Sequence, residues 1–162
     1  MALNQLTSSE NDPVNSPILR QIASLVLHAL LALVAWAALM AAGYMLNLPQ
    51  VSQAMILLLS LLVPLFVGFA FNHFKQDSMA GVVWLFGLVW FLIIALWVLD
   101  MPTGPSECFQ CDATDKLTRT FFSIPKPSGL IDNDGPFIAT WPAAALLGYA
   151  IGARLALRKQ KD

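Results

Sequence analysis

The sequence predicts an all-α fold: a four-helix transmembrane bundle of up-down topology, with both termini on the cytoplasmic side and one loop of about 35 residues on the far side. Three observations predict it. Of 162 residues, 57% are hydrophobic and 12% are charged, against roughly 45–50% and about 25% in soluble domains. A water-soluble fold this small could not bury so much apolar surface. The charges are also segregated, leaving four uncharged apolar runs at about 21–46, 51–71, 79–99 and 136–153. Lastly, each run approaches the ~20 residues that cross a hydrocarbon core of about 30 Å at 1.5 Å per residue.

The first element is expected at about 18–46. The segment before it, residues 1–17, is polar, carries Glu10 and Asp12 in place of a positive n-region, and reads as a disordered cytoplasmic tail. The apolar run is about twice the ~7–15 residues of a signal-peptide core, so it reads as a retained helix, with Ser16 and Pro17 as N-cap and first turn. After Arg20, His28 is the one acidic or basic side chain within it. Such a group at membrane depth usually faces the bundle interior and finds a polar partner on another helix, and Ser60 on the second helix is a conceivable one.

The second helix, at about 51–72, follows a short connection broken by Pro49, so the first two helices form an antiparallel pair. Pro64 within it leaves a backbone carbonyl without its donor. The third, at about 79–99, carries Trp84, Phe86, Trp90, Phe91 and Trp97 around much of its circumference. Trp84 and Trp97 suit the two interfacial aromatic belts, and Trp90 lies near the bilayer centre with an indole N–H to satisfy. The fourth, at about 136–157, contains Ala144, Gly148 and Gly152 at intervals of four. Small residues so spaced permit close helix approach in lipid, and a ridge through Ala35, Ala38 and Ala42 on the first helix is a candidate partner. Residues 158–162 form a basic tail.

Orientation follows from Lys and Arg, which accumulate on the cytoplasmic side. With the N-terminus inside, Arg20, Lys75, Arg154, Arg158, Lys159 and Lys161 are cytoplasmic, and Lys116, Arg119 and Lys126 lie outside. The membrane is read as a bacterial inner membrane. The outer loop, 100–135, has four prolines, which exclude a long helix. Its run from Leu117 to Ile124 fits either a strand or a segment lying on the membrane with Phe121, Phe122 and Ile124 dipped into the headgroups.

Cys108 and Cys111, the only cysteines, form CFQC in this loop. In an oxidising compartment the plain expectation is a disulfide that staples a turn. The sharper expectation is thiol–disulfide exchange. In size the chain resembles the four-helix membrane enzymes of the vitamin K epoxide reductase kind, which pass electrons from such pairs to quinone. That resemblance implies a second cysteine pair to relay electrons, and this chain has none. Zinc needs four ligands, and His28 and His73 are too far from the pair, so no metal and no cofactor is expected. IDNDG at 131–135 lacks the spacing of a calcium loop and reads as a turn before the fourth helix.

Net charge is −1, and no clustered basic face suggests nucleic acid. No serine, histidine or carboxylate constellation for catalysis appears inside the spans. What remains is a non-enzymatic accessory, assembly or scaffolding subunit, whose partners are the bilayer and other membrane subunits or further copies of itself. The alternatives are an oxidoreductase using Cys108 and Cys111, or a small oligomeric channel with a path near His28 and Ser60.

Overall fold

The computed structural model describes residues 17–45, 53–100, 112–122 and 138–159, all in helices or short connections. Helix α1 spans Pro17–Met45 and α2 spans Gln53–Phe74. A 3-10 turn at Ser78–Val82 leads into α3, Trp84–Asp100. A short helix, α4, covers Ala113–Phe122, and α5 covers Thr140–Lys159. No strand occurs among the described residues.

Among the described residues, three stretches are long and apolar enough to cross a membrane: Pro17–Met45, Ala54–Phe74 and Ser78–Asp100. This chain is a membrane protein. Their outward faces carry large apolar side chains such as Leu30, Val34, Phe66, Leu96 and Trp97, all exposed. In water such surface would be a liability, whereas lipid solvates it.

The core lies around α5. Nine of its residues are buried, Pro142, Ala145, Leu146, Gly148, Tyr149, Ala150, Gly152, Ala153 and Ala156. Most are small, so neighbouring backbones come close. Among the described residues, the most extensive contact is between α2 and α5. A Cβ added to Gly148 would stand 2.1 Å from the Leu61 carbonyl oxygen, and one added to Gly152 would stand 2.0 Å from that of Leu65. From the other side, a Cβ on Gly68 would stand 2.3 Å from the Tyr149 carbonyl oxygen. In lipid, where apolar burial gains little, this backbone-to-backbone packing is the main association force.

The small-residue face of α5 therefore meets α2, and the alanine ridge of α1 is not its counterpart. Ala38 and Ala42 are exposed, and α1 approaches α5 through Ala29 and Ala32, which are buried with Leu146, Tyr149 and Ala150. Spacing alone identifies a contact-making face and is silent on which neighbour it meets.

From Leu117 to Phe122 the chain is helical, which corrects the strand alternative there, and Ile124 lies outside the described residues. In α4, Leu117 and Phe121 lie one helical turn apart and pack together with Ile94 and Val98 of α3. Phe121 is buried and stacks on Phe91 of α3 with ring centroids 4.1 Å apart. Its carbonyl accepts from the Thr140 hydroxyl at 2.6 Å. Helix α4 is thus fastened to the middle of α3 and the start of α5, and exposes Phe122.

Candidate functional site

A polar cluster sits where α1, α2, the α2–α3 connection and α5 converge. It begins with Asp77. The short NHFKQDS connection must reverse the chain, and Asp77 stabilises the reversal as N-cap of the 3-10 turn, its Oδ1 accepting from the Met79 N–H at 2.9 Å. The other carboxylate oxygen, Oδ2, turns toward α1. It accepts from the Ser24 hydroxyl and lies 3.4 Å from His28 Nε2.

His28 is 2% exposed. Its Nδ1 is 2.8 Å from the hydroxyl of Tyr149, and its ring meets Phe71 edge-on, with centroids 5.5 Å apart. A carboxylate can only accept, so Nε2 carries the hydrogen that faces Asp77. In the neutral ring Nδ1 then accepts from the Tyr149 O–H. Both ring nitrogens of His28 thereby have a polar partner.

Two further ties close the cluster. Asn72, fully buried, donates from Nδ2 to the Ala153 carbonyl at 3.0 Å and accepts at Oδ1 from the Asp77 N–H at 2.8 Å. Arg154 donates from Nε to the Gly81 carbonyl at 2.9 Å. The two residues 153 and 154 of α5 thus hold the end of α2 and the 3-10 turn together.

Burial pushes the Asp77 carboxyl up, but bonds from the Ser24 hydroxyl and the Met79 N–H, with the His28 ring beside it, outweigh that and hold it below its ordinary value of 3.8. A carboxyl lowered on folding contributes stability above its unfolded value, and that contribution is lost as pH falls through the folded value. Acid unfolding should therefore include a loss below about pH 4 that Asp77→Asn flattens, measured by circular dichroism in micelles. An unchanged acid limb would show that Asp77 is not a stabilising carboxylate.

Of the residues singled out in the sequence, His28, Gly148 and Gly152 are buried in this region, and Ala144 is half-buried on α5. Ser60 is fully buried, but its hydroxyl has no partner among the described residues and is not bonded to His28. His28 instead takes Asp77 and Tyr149, which sequence reading missed. Asp77 looks like a loop residue, and only a connection that folds back onto α1 brings it to His28. Tyr149 was legible as the one polar side chain between Gly148 and Gly152. Trp90 lies on the outer surface of the bundle and satisfies its indole N–H on the Ile138 carbonyl at 2.8 Å. Cys108 and Cys111 lie outside the described residues. No metal-binding cluster occurs among the described residues.

Chemically, Ser24, Asp77, His28 and Tyr149 form a line of exchangeable protons leading from the half-buried carboxylate to a fully buried hydroxyl. The arrangement orients and neutralises; its groups are engaged with one another. Comparison with known protein families, curated proteins and solved structures finds no match to this chain.

Proposed function

We propose that this chain crosses the membrane four times, with α5 as the fourth crossing and both termini cytoplasmic, and that it serves as a non-enzymatic accessory, assembly or scaffolding subunit of a larger complex in a bacterial inner membrane. The observation that carries this reading is how the polar groups of the bundle are used. His28, Asn72, Asp77, Tyr149 and Arg154 are each bonded to another helix or to the α2–α3 connection, so they act as fasteners. The outward faces of α1, α2 and α3 carry large exposed apolar side chains.

The fourth crossing is supported by length and position. Twenty residues of α5 span about 30 Å, the thickness of the hydrocarbon core. Helix α5 packs on α1, α2 and α3, and its remaining face exposes Leu147, Ile151 and Leu155. Arg154 is exposed and ties α5 to the 3-10 turn through its Nε and the Gly81 carbonyl.

Extraction in a mild detergent followed by identification of co-purifying proteins tests the reading. A stoichiometric membrane partner is expected, with Cys108→Ser leaving the association intact. A mixed disulfide trapped on Cys108 or Cys111 would replace the scaffold by a thiol–disulfide oxidoreductase. Ion flux into vesicles holding only this chain would replace it by a channel. Sidedness is checked separately: a membrane-impermeant thiol reagent applied to intact spheroplasts after mild reduction should label Cys108 and Cys111, and protease should spare the basic C-terminus.

A further inference from the structure

Arg154 and Arg158 stand one helical turn apart on α5, and both are exposed. On the same face Leu147, Ile151 and Leu155 are exposed at intervals of four, an apolar strip about 12 Å long that runs into the two guanidinium groups. The depth of Arg154 is fixed by its neighbours. Its Nε–H is bonded to the carbonyl of Gly81, near the start of the apolar stretch Ser78–Asp100. The adjoining Ala153 carbonyl accepts from Asn72, near the end of Ala54–Phe74. At 1.5 Å per residue both marks put Arg154 within about 5 Å of the rim of the apolar layer, the level at which the headgroup region of a bilayer begins.

Charge selects the occupant. Arg20, Lys75 and Lys159 are exposed at this end too, and none of these cations, Arg154 and Arg158 included, is ion-paired with another described residue. Among the described residues the acid at this end is Asp77, whose oxygens are already engaged with Ser24, Met79 and His28. What fits is one ligand that is anionic at the rim and apolar along Leu147, Ile151 and Leu155. A wholly apolar partner helix would leave the guanidinium groups uncompensated, and a soluble anion would leave the apolar strip uncovered.

We infer that Arg154 and Arg158 bind the phosphate of one anionic phospholipid, in the leaflet at the end where α1 begins and α5 ends, with its chains lying along the exposed strip of α5. Arg154 is prepared for this. Of its five N–H groups one is held by Gly81, and the other four have no partner among the described residues, which leaves them to phosphate oxygens in the planar fork that suits such a group. Gly81 gives the side chain room, since a Cβ there would stand 3.0 Å from Arg154 Cγ and 3.3 Å from its Nε. The site rests on reading α5 as a crossing helix and is independent of the scaffolding role.

Native mass spectrometry of the chain, released in mild detergent from vesicles of phosphatidylglycerol and phosphatidylcholine in equal parts, tests the site. The unaltered chain is expected to retain one phosphatidylglycerol in preference to phosphatidylcholine. Arg154→Gln and Arg158→Gln are each expected to lower the retained fraction about fivefold, the effect of one basic residue at an anionic surface. Arg154→Lys keeps the charge but loses the fork, and Gly81→Ala keeps the charge but displaces the fork; both are expected to lower retention as well. Arg20→Gln, which removes a cation at the same end but outside the site, is expected to leave retention unchanged. Circular dichroism verifies that all the variants are folded. The inference is overturned by absence of a preference in the unaltered chain, by full retention in Arg154→Lys and Gly81→Ala, or by an equal loss in Arg20→Gln. Displacement of the lipid by inorganic phosphate, or an acidic polypeptide found in its place, overturns it too. No retained lipid with the C-terminus spared by protease would count against the site alone, and a C-terminus cut in intact spheroplasts would count against the crossing as drawn.

Discussion

Gly148→Ala and Gly152→Ala should each lower the stability of the folded bundle by about 3 kcal/mol or more, at the top of the range for overpacked sites. The added methyl group would meet a backbone carbonyl oxygen at 2.1 Å and 2.0 Å respectively. A flexible side chain could swing aside, but a carbonyl within α2 cannot move without its helix. The ~1 kcal/mol that alanine gains over glycine in a helix interior offsets only part of this. Gly43 supplies the control: nothing lies within 4 Å of a Cβ built there. Gly43→Ala should therefore stabilise by up to about 1 kcal/mol. The measurement is unfolding by a denaturing detergent titrated into mild micelles, followed by far-ultraviolet circular dichroism. If Gly152→Ala unfolds at or beyond the midpoint of the unaltered chain, α2 and α5 are not in backbone contact and the centre of the fold is wrongly drawn.

The α2/α5 seam also explains how much of this molecule could be read in advance. Apolar runs long enough to cross a bilayer appear directly in the sequence, because hydrocarbon imposes one requirement on every residue of a span. The helical class and the three long apolar helices follow from that requirement. Pairing between helices is a different matter. Gly148 and Gly152 announce a close approach, yet the face of α2 that receives them is marked only by Gly68 and by exposed backbone oxygens, which carry no residue signature. The expected match with Ala35, Ala38 and Ala42 failed for this reason: small residues on a lipid-facing helix are equally consistent with membrane exposure.

The polar cluster was half legible for a related reason. His28 stands out because the cost of a titratable group in a span is large enough to demand a partner. Its partners do not stand out. Asp77 is separated from it by 49 residues and lies in a connection that hydropathy assigns to the aqueous edge. Position within the bundle is decided by the return of that connection, which Asn72 and Arg154 fix from α2 and α5. The helical character of α4 was likewise hidden, since ten residues with alternating charges contain too few periods to separate helix from strand.

The second large effect is expected at His28. His28→Ala removes a ring that is 2% exposed and leaves the Tyr149 hydroxyl, itself fully buried, without an acceptor. An unmatched buried hydroxyl costs about 1–3 kcal/mol, and the space left by the ring adds a cavity term, for a combined loss of about 3 kcal/mol. Asp77 contributes less to this loss, because its side chain is 25% exposed and retains Ser24 and Met79 when the ring is gone. The double variant distinguishes a mismatched hydroxyl from a simple cavity. Replacing both partners of a buried hydrogen bond by apolar groups of similar shape can be nearly neutral. His28→Leu with Tyr149→Phe should therefore recover about 1–2 kcal/mol relative to the sum of the two single changes. Purely additive losses would mean that the contact between His28 and Tyr149 contributes packing alone. Since Gly68 lies against the Tyr149 backbone, Gly68→Ala should displace the same hydroxyl, so its loss and that of Tyr149→Phe should combine less than additively. That outcome would tie the glycine seam and the polar cluster into one cooperative unit, with α5 as the element on which both depend.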